Sequence, residues 1–415
     1  MMETSYQAAS ALELRQRSIL GFVRTVGGAT RAEIAAATNM SPSMVVRLVG
    51  ELVGLGLLAN DEARTDARRP GRPSEVLRLD GRAGFGVGLE FGRDTLTTVV
   101  TDALGDLVAA ERVDDVPSFV ADEAVAERLA GAVRDAASRA GIDLGRVEAV
   151  GVALHDIVDA QGAWVVKGGP RATPYPIRDR LEEVLDIPTA VEDVSRAFAE
   201  AEFRSGAGAN VVDMAYVFIG RYGVGSGIFV NGQLLRSSSG VCGEIGHVIV
   251  EEGGPLCVCG SLGCLETVAL HEAVIGRYRA LLAHGVAVPD RVTDSLTFGD
   301  VCAAAGAGDK AATIVLDQLA HAVGVAVASV VSVSGAPHIV IGGDLVHAGD
   351  VFLHELAATV RRRVISSLSR RLTVCYALLP AHAGAQGAAL QALHAAWTQG
   401  PILERATRRR LGQDR

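Results

Sequence analysis

Three of the chain's six cysteines fall within eight residues, Cys257-Val-Cys259-Gly-Ser-Leu-Gly-Cys264, and His247 precedes the first of them by ten. In a reducing compartment so tight a cluster reads as a metal site before it reads as a disulfide framework. One imidazole and three thiolates, His247, Cys257, Cys259 and Cys264, make a closed tetrahedral set for Zn2+, with Gly260 and Gly263 letting the short loop wrap. A closed set keeps no position for water, so zinc is expected to brace structure, holding the loop that carries Glu244, His247 and Glu266. On spacing alone, reactive or idle cysteines remain the alternative. Cys242, Cys302 and Cys375 are expected to be simply buried.

At 415 residues the chain exceeds one hydrophobic core, and two or three domains are expected. An apolar share of 49% against 21% charged residues, with 48 glycines, describes a soluble, well-packed α/β protein and excludes a disordered or fibrous chain. No uninterrupted apolar stretch of membrane-spanning length stands out. The opening MMETSYQAASALELRQR is polar and helical, unlike a signal peptide, so a cytoplasmic location without membrane contact is expected. The net charge of -9 argues against nucleic acid only as an average over the whole chain. Residues 63–78 hold five arginines against Asp66 and Glu75, a local net of +3.

That basic run closes an amino-terminal pattern. Leu12, Leu14, Ile19, Leu20 and Val23 mark one face of a helix over 11–27. Thr30-Arg-Ala-Glu33 reads as a capping box opening a short second helix. Ser41-Pro42 supplies an N-cap and a first-turn proline for a third, carrying Val45, Val46, Leu48, Val49, Leu52 and Val53. Gly54 and Gly56 stop it, and Leu57-Leu58 can pair with Val76–Leu79 around an arginine-rich wing. The result is a winged helix-turn-helix over residues 1–80. In such a unit the start of the third helix meets base edges in the major groove, which nominates Ser41, Ser43, Met44 and Arg47. Arg68, Arg69 and Arg72 on the wing would rest on phosphates. By pattern alone a dimerisation cap remains the lesser alternative.

With Arg31-Ala-Glu-Ile-Ala, Ser41-Pro-Ser, Gly56-Leu and Gly71-Arg-Pro at these spacings, followed by Gly243-Glu-Ile-Gly-His247 and Cys257-Val-Cys259-Gly-Ser-Leu-Gly-Cys264-Leu-Glu266, the chain resembles the ROK family of repressors and sugar kinases. The likeness runs from about residue 12 to 397, and the chain is similar to the family's xylose- and N-acetylglucosamine-responsive repressors. It implies two actin-like (RNase H-like) α/β lobes around a cleft: residues 81–192 as the first, completed by a C-terminal helix in 385–415, and 193–384 as the second, with the zinc site. It also implies a sugar site, whose members here are Glu192, Asp193, Glu244, His247 and Glu266. Carboxylates suit polyols because each oxygen accepts hydroxyl hydrogen bonds. Taken singly, each of these acids is as readable as a surface or helix-capping group. Two departures stand out: Glu192 where the family has Asn, and His155-Asp156 where it commonly has Pro-Gly.

The family's kinases cradle phosphate with Asp-x-Gly-x-Thr, and this chain has Glu90-Phe-Gly92-Arg-Asp94. Asp94 puts negative charge where a triphosphate would lie. The expectation is therefore a sugar-responsive DNA-binding regulator, a repressor that does not phosphorylate its effector. The alternative is a ROK sugar kinase with a fused DNA-binding module, in which Asp193 would be the catalytic base; a third reading is a ligand-independent DNA-binding or scaffold protein. The partners expected are a near-palindromic operator, a small sugar-derived effector and a second copy of the chain, with lobe closure transmitted through the linker near residues 80–84. Gly223-Val-Gly225-Ser-Gly227 is expected to be a hairpin turn, Ile339-Val-Ile-Gly342-Gly343 a strand and turn, and the basic tail around Thr407–Arg410 a solvated helix end.

Overall fold

A computed structural model describes residues 11–61, 75–92, 94–116, 121–165, 174–284, 296–398 and 402–410. The amino-terminal module contains α1 (Ala11–Val26), β1 (Ala29–Thr30), α2 (Arg31–Thr38), α3 (Pro42–Gly54), β2 (Leu58–Asp61) and β3 (Val76–Leu79). Thr30 and Glu33 form the capping box of α2, and Asn39, at φ 54°, ends that helix in the left-handed conformation. Ser41 Oγ accepts the Met44 amide at the start of α3. The three strands form a small antiparallel sheet in the order β1-β3-β2. Ile19, Leu20, Val23, Ile34, Val45, Leu48, Val49 and Leu52 are buried together. Val46 and Val53, grouped in sequence with the apolar face of α3, are instead 57% and 38% exposed. Seven residues apart, they share the side of α3 turned away from α1 and α2. Leu12 and Leu14 are exposed as well, since the buried stripe of α1 begins a turn later. The wing, with Arg68, Arg69 and Arg72, lies outside the described residues.

Two sheets of identical topology follow. The first uses β4 (Phe85–Phe91), β5 (Thr95–Asp102), β6 (Leu107–Asp114), β7 (Val147–Leu154) and β10 (Thr189–Asp193), in the order β10-β7-β4-β5-β6. The β4-β5-β6 meander is antiparallel, while β7 and β10 add in parallel. Between them come α4 (Glu123–Arg139), the short β8 (Ile157–Val158) and β9 (Trp164–Val165), and α5 (Ile177–Leu185); α6 (Val194–Ser205) leads out. All of β7 is buried, as its near-continuous apolar run requires of a central parallel strand; Glu148 is the one charge in it.

The second sheet repeats the pattern with β11 (Met214–Ile219), β12 (Val224–Val230), β13 (Gln233–Leu234), β14 (His338–Gly343) and β15 (Thr373–Tyr376), in the order β13-β12-β11-β14-β15. Between β13 and β14 lie α7 (Leu265–Ala269), α8 (His271–Ala283), α9 (Phe298–Gly306) and α10 (Lys310–Ser334); α11 (Gly349–Arg363) and α12 (Ser366–Ser369) precede β15. At 25 residues, with a mean hydropathy of 1.8 over its most apolar 18-residue window, α10 is by length and composition able to span a membrane, although Asp317, Gln318 and His321 interrupt its apolar run. Its apolar side is, however, the centre of the second lobe's core, with Val315, Leu319, Val323, Val327 and Val331 buried. The strand β14 stands as expected, but it runs through Gly342 and Gly343, which pair with Phe218 and Ile219 of β11, and the chain turns only afterwards, over Asp344–His347. The glycines Gly225 and Gly227 do not form a turn: they lie within β12. A Cβ on Gly225 would come within 2.5 Å of Ser195 Oγ, and one on Gly227 within 2.3 Å of Ala199 Cβ, so the glycines let α6 press onto the strand.

The carboxyl end contains α13 (Ala383–Thr398) and α14 (Ile402–Arg410). Helix α6 packs on β11 and β12, while α13 packs on β4, β5 and β7 and lies along α6. The start of α14 is docked, while in the basic tail Thr407, Arg408 and Arg410 are exposed as expected and only Arg409 is held against β7. Ile402, Leu403 and Ala406 are buried with Leu20, Leu52 and Trp397, and Arg405 and Arg409 both pair with Glu148, whose side chain is fully buried. The apolar spacing within Ile402–Ala406 made this face, and the arginines answer a charge on β7. Of the cysteines expected to be buried, Cys302 is, whereas Cys242 and Cys375 are partly exposed.

Candidate functional site

Helix α3 presents Ser43, Val46 and Arg47 on its exposed side. Ser41 is spent as the cap, its hydroxyl 3.3 Å from that of Ser43; Met44 is half-buried under Arg47, whose Nη2 lies 3.3 Å from its sulfur. Arg47 Nη1 is 3.4 Å from Glu51 Oε1, an exposed pair that holds the guanidinium along the helix. Val46 was missed in sequence because a valine in an amphipathic helix reads as core. Exposed on this face, it is suited to a thymine methyl group.

The metal-ligating set converges. One donor atom from each of His247, Cys257, Cys259 and Cys264 lies within 4.8 Å of the others. His247 Nδ1 is 3.5 Å from Cys257 Sγ, and Cys259 Sγ is 3.6 Å from Cys264 Sγ. Zinc–sulfur bonds of about 2.3 Å at tetrahedral angles separate the ligands by roughly 3.8 Å, so the four residues fit a zinc-sized cation. Gly263, at φ 75°, could carry no side chain there: its Cβ would meet Glu251 O at 1.7 Å. Burial and the neighbouring sulfurs push the Cys264 thiol up to about 12, and a divalent cation would turn such a cluster into thiolates.

The residues of the presumed cleft fall into two linked groups. His247 turns its Nε2 to Glu244 Oε2 and Glu266 Oε2, each at 3.8 Å, while its other nitrogen faces the cysteines. Gly243, at φ 81°, places this turn against Ser226 O, where a Cβ would lie at 2.0 Å. Glu266, 7% exposed, keeps one buried carboxylate oxygen without a hydrogen-bond donor among the described residues. Asp193 caps α6, its Oδ1 accepting the amides of Ser195 and Arg196. Glu192 is engaged by guanidinium groups: Oε1 accepts Arg196 Nε at 2.6 Å, and Oε2 lies 2.6 Å from Arg236 Nη1. Burial lowers the Arg196 guanidinium, but the charges of Glu192 and Asp193 outweigh it and carry the net shift upward. Arg196 Nη1 also donates to Cys242 O at 3.1 Å, tying the start of α6 to the Gly243–His247 turn. Sequence gave no hint of Arg196 or Arg236, because a charge partner is found in space and not by spacing.

Where a phosphate cradle would open, Glu90 is buried and its Oε1 lies 3.1 Å from His155 Nε2. His155 stands edge-on to Phe218 of β11, so the pair bridges the two lobes. Asp156 accepts Trp164 Nε1 at 2.9 Å, and Asp94 is exposed.

Residues 86–395 match the ROK family model, and residues 12–69 match the MarR family. The chain belongs to the ROK family. Among ROK relatives, the DNA-binding transcriptional dual regulator NagC of Escherichia coli K12 is 27% identical over 364 residues, covering 87% of this chain and 88% of that one. A glucokinase of Halalkalibacterium halodurans is 32% identical over 292 residues, 65% of this chain and 83% of its own. Among solved structures, a ROK family transcriptional regulator described as a homologue of the E. coli Mlc protein superposes with a TM-score of 0.81 at 24% identity, covering 95% and 98% of the two chains. That likeness carries the fold: a winged helix-turn-helix joined to two actin-like lobes.

Proposed function

We propose that this ROK protein is a sugar-responsive transcriptional repressor whose kinase-like lobes bind a small carbohydrate effector without phosphorylating it. The observation that carries the reading is the Glu90–His155 contact, which fills the phosphate cradle beside an otherwise complete set of cleft carboxylates. Asp94 adds to this: an exposed like charge beside the cradle costs a triphosphate about 1 kcal/mol. NagC, a DNA-binding regulator, matches along nearly the whole chain, helix-turn-helix included.

In this reading residues 1–80 bind DNA, residues 81–192 with the C-terminal helix form one lobe, and 193–384 form the other. Glu244, Glu266 and Asp193 accept hydrogen bonds from effector hydroxyls, and His247 donates from its Nε2–H to a hydroxyl oxygen. Glu192 acts through Arg196 and Arg236, orienting the α6 end of the site. A structural zinc held by His247, Cys257, Cys259 and Cys264 would fix the His247 ring and so aim Glu244 and Glu266. Two copies bind a near-palindromic operator in the cytoplasm, with Ser43, Met44 and Arg47 at the bases and Arg68, Arg69 and Arg72 on phosphates.

One observation favours the kinase reading: Asp193 is retained, and a glucokinase is among the relatives. The deciding experiment is calorimetry of the zinc-loaded protein with hexoses, pentoses, N-acetylamino sugars and their phosphates, with ATP consumption measured in parallel. Saturable sugar binding without turnover is expected; sugar-dependent ATP hydrolysis would make the protein a kinase.

A further inference from the structure

Arg24, on the last turn of α1, leaves the DNA-binding module and enters the lobes. Its Nη2 donates to Leu390 O on α13 at 3.2 Å, while its Nη1 is buried with no hydrogen-bond partner among the described residues. Burial first, and then the like charge of Arg204, push this guanidinium down to about 10, with Glu200 opposing them. Glu200 is 5% exposed and already pairs with Arg204 at 2.8 Å. Glu200 is thus paired directly with Arg204 and reaches Arg24 only through its charge, at a joint otherwise apolar, in which Ile19, Leu20 and Val23 share a cluster with Leu393, Trp397, Ile402 and Leu403. A buried donor without a partner is a net cost to docking, so charge weakens what apolar contact secures.

Both helices at this joint begin at the cleft. Asp193 caps α6, which carries Glu200 and Arg204 two and three turns on. Helix α13 opens with Gly384 against Glu90, where a Cβ would lie 2.4 Å from Oε2, and its Gln391 donates to Arg196 O. The linker, by contrast, is pinned to the first lobe: Arg146 donates to Arg82 O, and Arg409 to Ala83 O. It moves with that lobe and has little freedom to act as a hinge.

We propose that the Arg24 joint, and not the covalent linker at residues 80–84, is where cleft occupancy reaches the DNA-binding module, through displacement of Glu200, Arg204 and Leu390 against Arg24. This rests on the sugar-responsive reading above. The sign of each charge gives the test, hydrogen exchange of the α1 amides in the full zinc-loaded chain without DNA or sugar. Arg24→Met and Arg204→Met each relieve the crowding of positive charge and slow exchange severalfold. Glu200→Gln removes the opposing carboxylate and speeds it severalfold. Arg82→Ala, in the linker, leaves it unchanged. If Glu200→Gln fails to fold, the two methionine variants decide. Unchanged α1 exchange in both methionine variants, or a shift in the same direction for Glu200→Gln and Arg204→Met, overturns the joint. The second arm adds whichever of glucose, xylose, N-acetylglucosamine and their phosphates binds in calorimetry. The sugar's effect on α1 exchange falls at least fivefold in Arg24→Met, and a full effect in that variant overturns the proposal. If none of these sugars binds, the sensing reading fails, while the unliganded exchange still decides whether the joint is the weak contact.

Discussion

His155 Nε2 lies 3.1 Å from Glu90 Oε1, so a departure in the phosphate motif meets a departure in the loop expected near the sugar. The two departures answer each other. A longer acid on β4 reaches a base on the loop after β7, and in the proposed reading the pair stands where a nucleotide's phosphates would lie.

Mg-ATP is accordingly expected to bind no tighter than the millimolar range in calorimetry. Asp94→Thr removes an exposed like charge worth about 1 kcal/mol, and so improves ATP binding about fivefold without restoring turnover, because Glu90 and His155 remain. Micromolar ATP binding by the unaltered protein would contradict the filled cradle.

Burial pushes the Glu148 carboxyl above its usual range, while Arg409 and Arg405 pull it down without cancelling the shift. A group whose folded pKa is raised contributes stability that is present below its unfolded value near 4.5 and is lost as pH rises through the folded value. The stability difference between the unaltered protein and Glu148→Gln should therefore favour the unaltered protein more at pH 5 than at pH 7.5. Urea midpoints at both values check the sign; a difference growing towards pH 7.5 would show that the two arginines, and not burial, dominate this site.

Elemental analysis should find one zinc per chain, lost on Cys264→Ser. Because His247 touches both the cysteines and the two cleft glutamates, loss of the metal should also weaken sugar binding, by tenfold or more on the scale of perturbed ligand-orienting contacts. Sugar affinity unchanged in Cys264→Ser would uncouple the two sites.

On the exposed side of α3, Arg47→Ala should cost about 1–3 kcal/mol of discrimination against altered bases, on an operator selected in vitro from a random pool. Val46→Ala should lower preference at a thymine position and leave the salt dependence of binding untouched. A uniform loss across all sequences for Arg47→Ala would reassign it to phosphate contact.

How much of this was legible in sequence depended on whether the signal was local. The capping box at Thr30–Glu33, the Ser41-Pro42 start of α3 and the His247–Cys264 cluster are set by residues a few positions apart, and spacing found them. Gly225 and Gly227 misled because glycine marks both turns and close approaches; only the position of α6 distinguishes the two. Val46 and α14 misled for a different reason, since amphipathic spacing shows that a face is apolar and not what covers it. Glu192 marks the limit of motif reasoning. Its position aligns with a sugar ligand, yet its carboxylate is taken up by Arg196 and Arg236, residues four and forty-four positions away.

The two sheets also trade their final helices. After the last strand of the first sheet, α6 crosses to lie on the second; after the last strand of the second, α13 crosses back to the first. Each sheet is thus roofed by the helix that follows the other sheet's last strand, like two hands with linked fingers. Such lobes can swivel but cannot part, because separating them would strip an apolar face from both. Motion at the cleft is thereby confined to rotation about the crossed pair, and neither lobe should survive alone when the chain is cut between them.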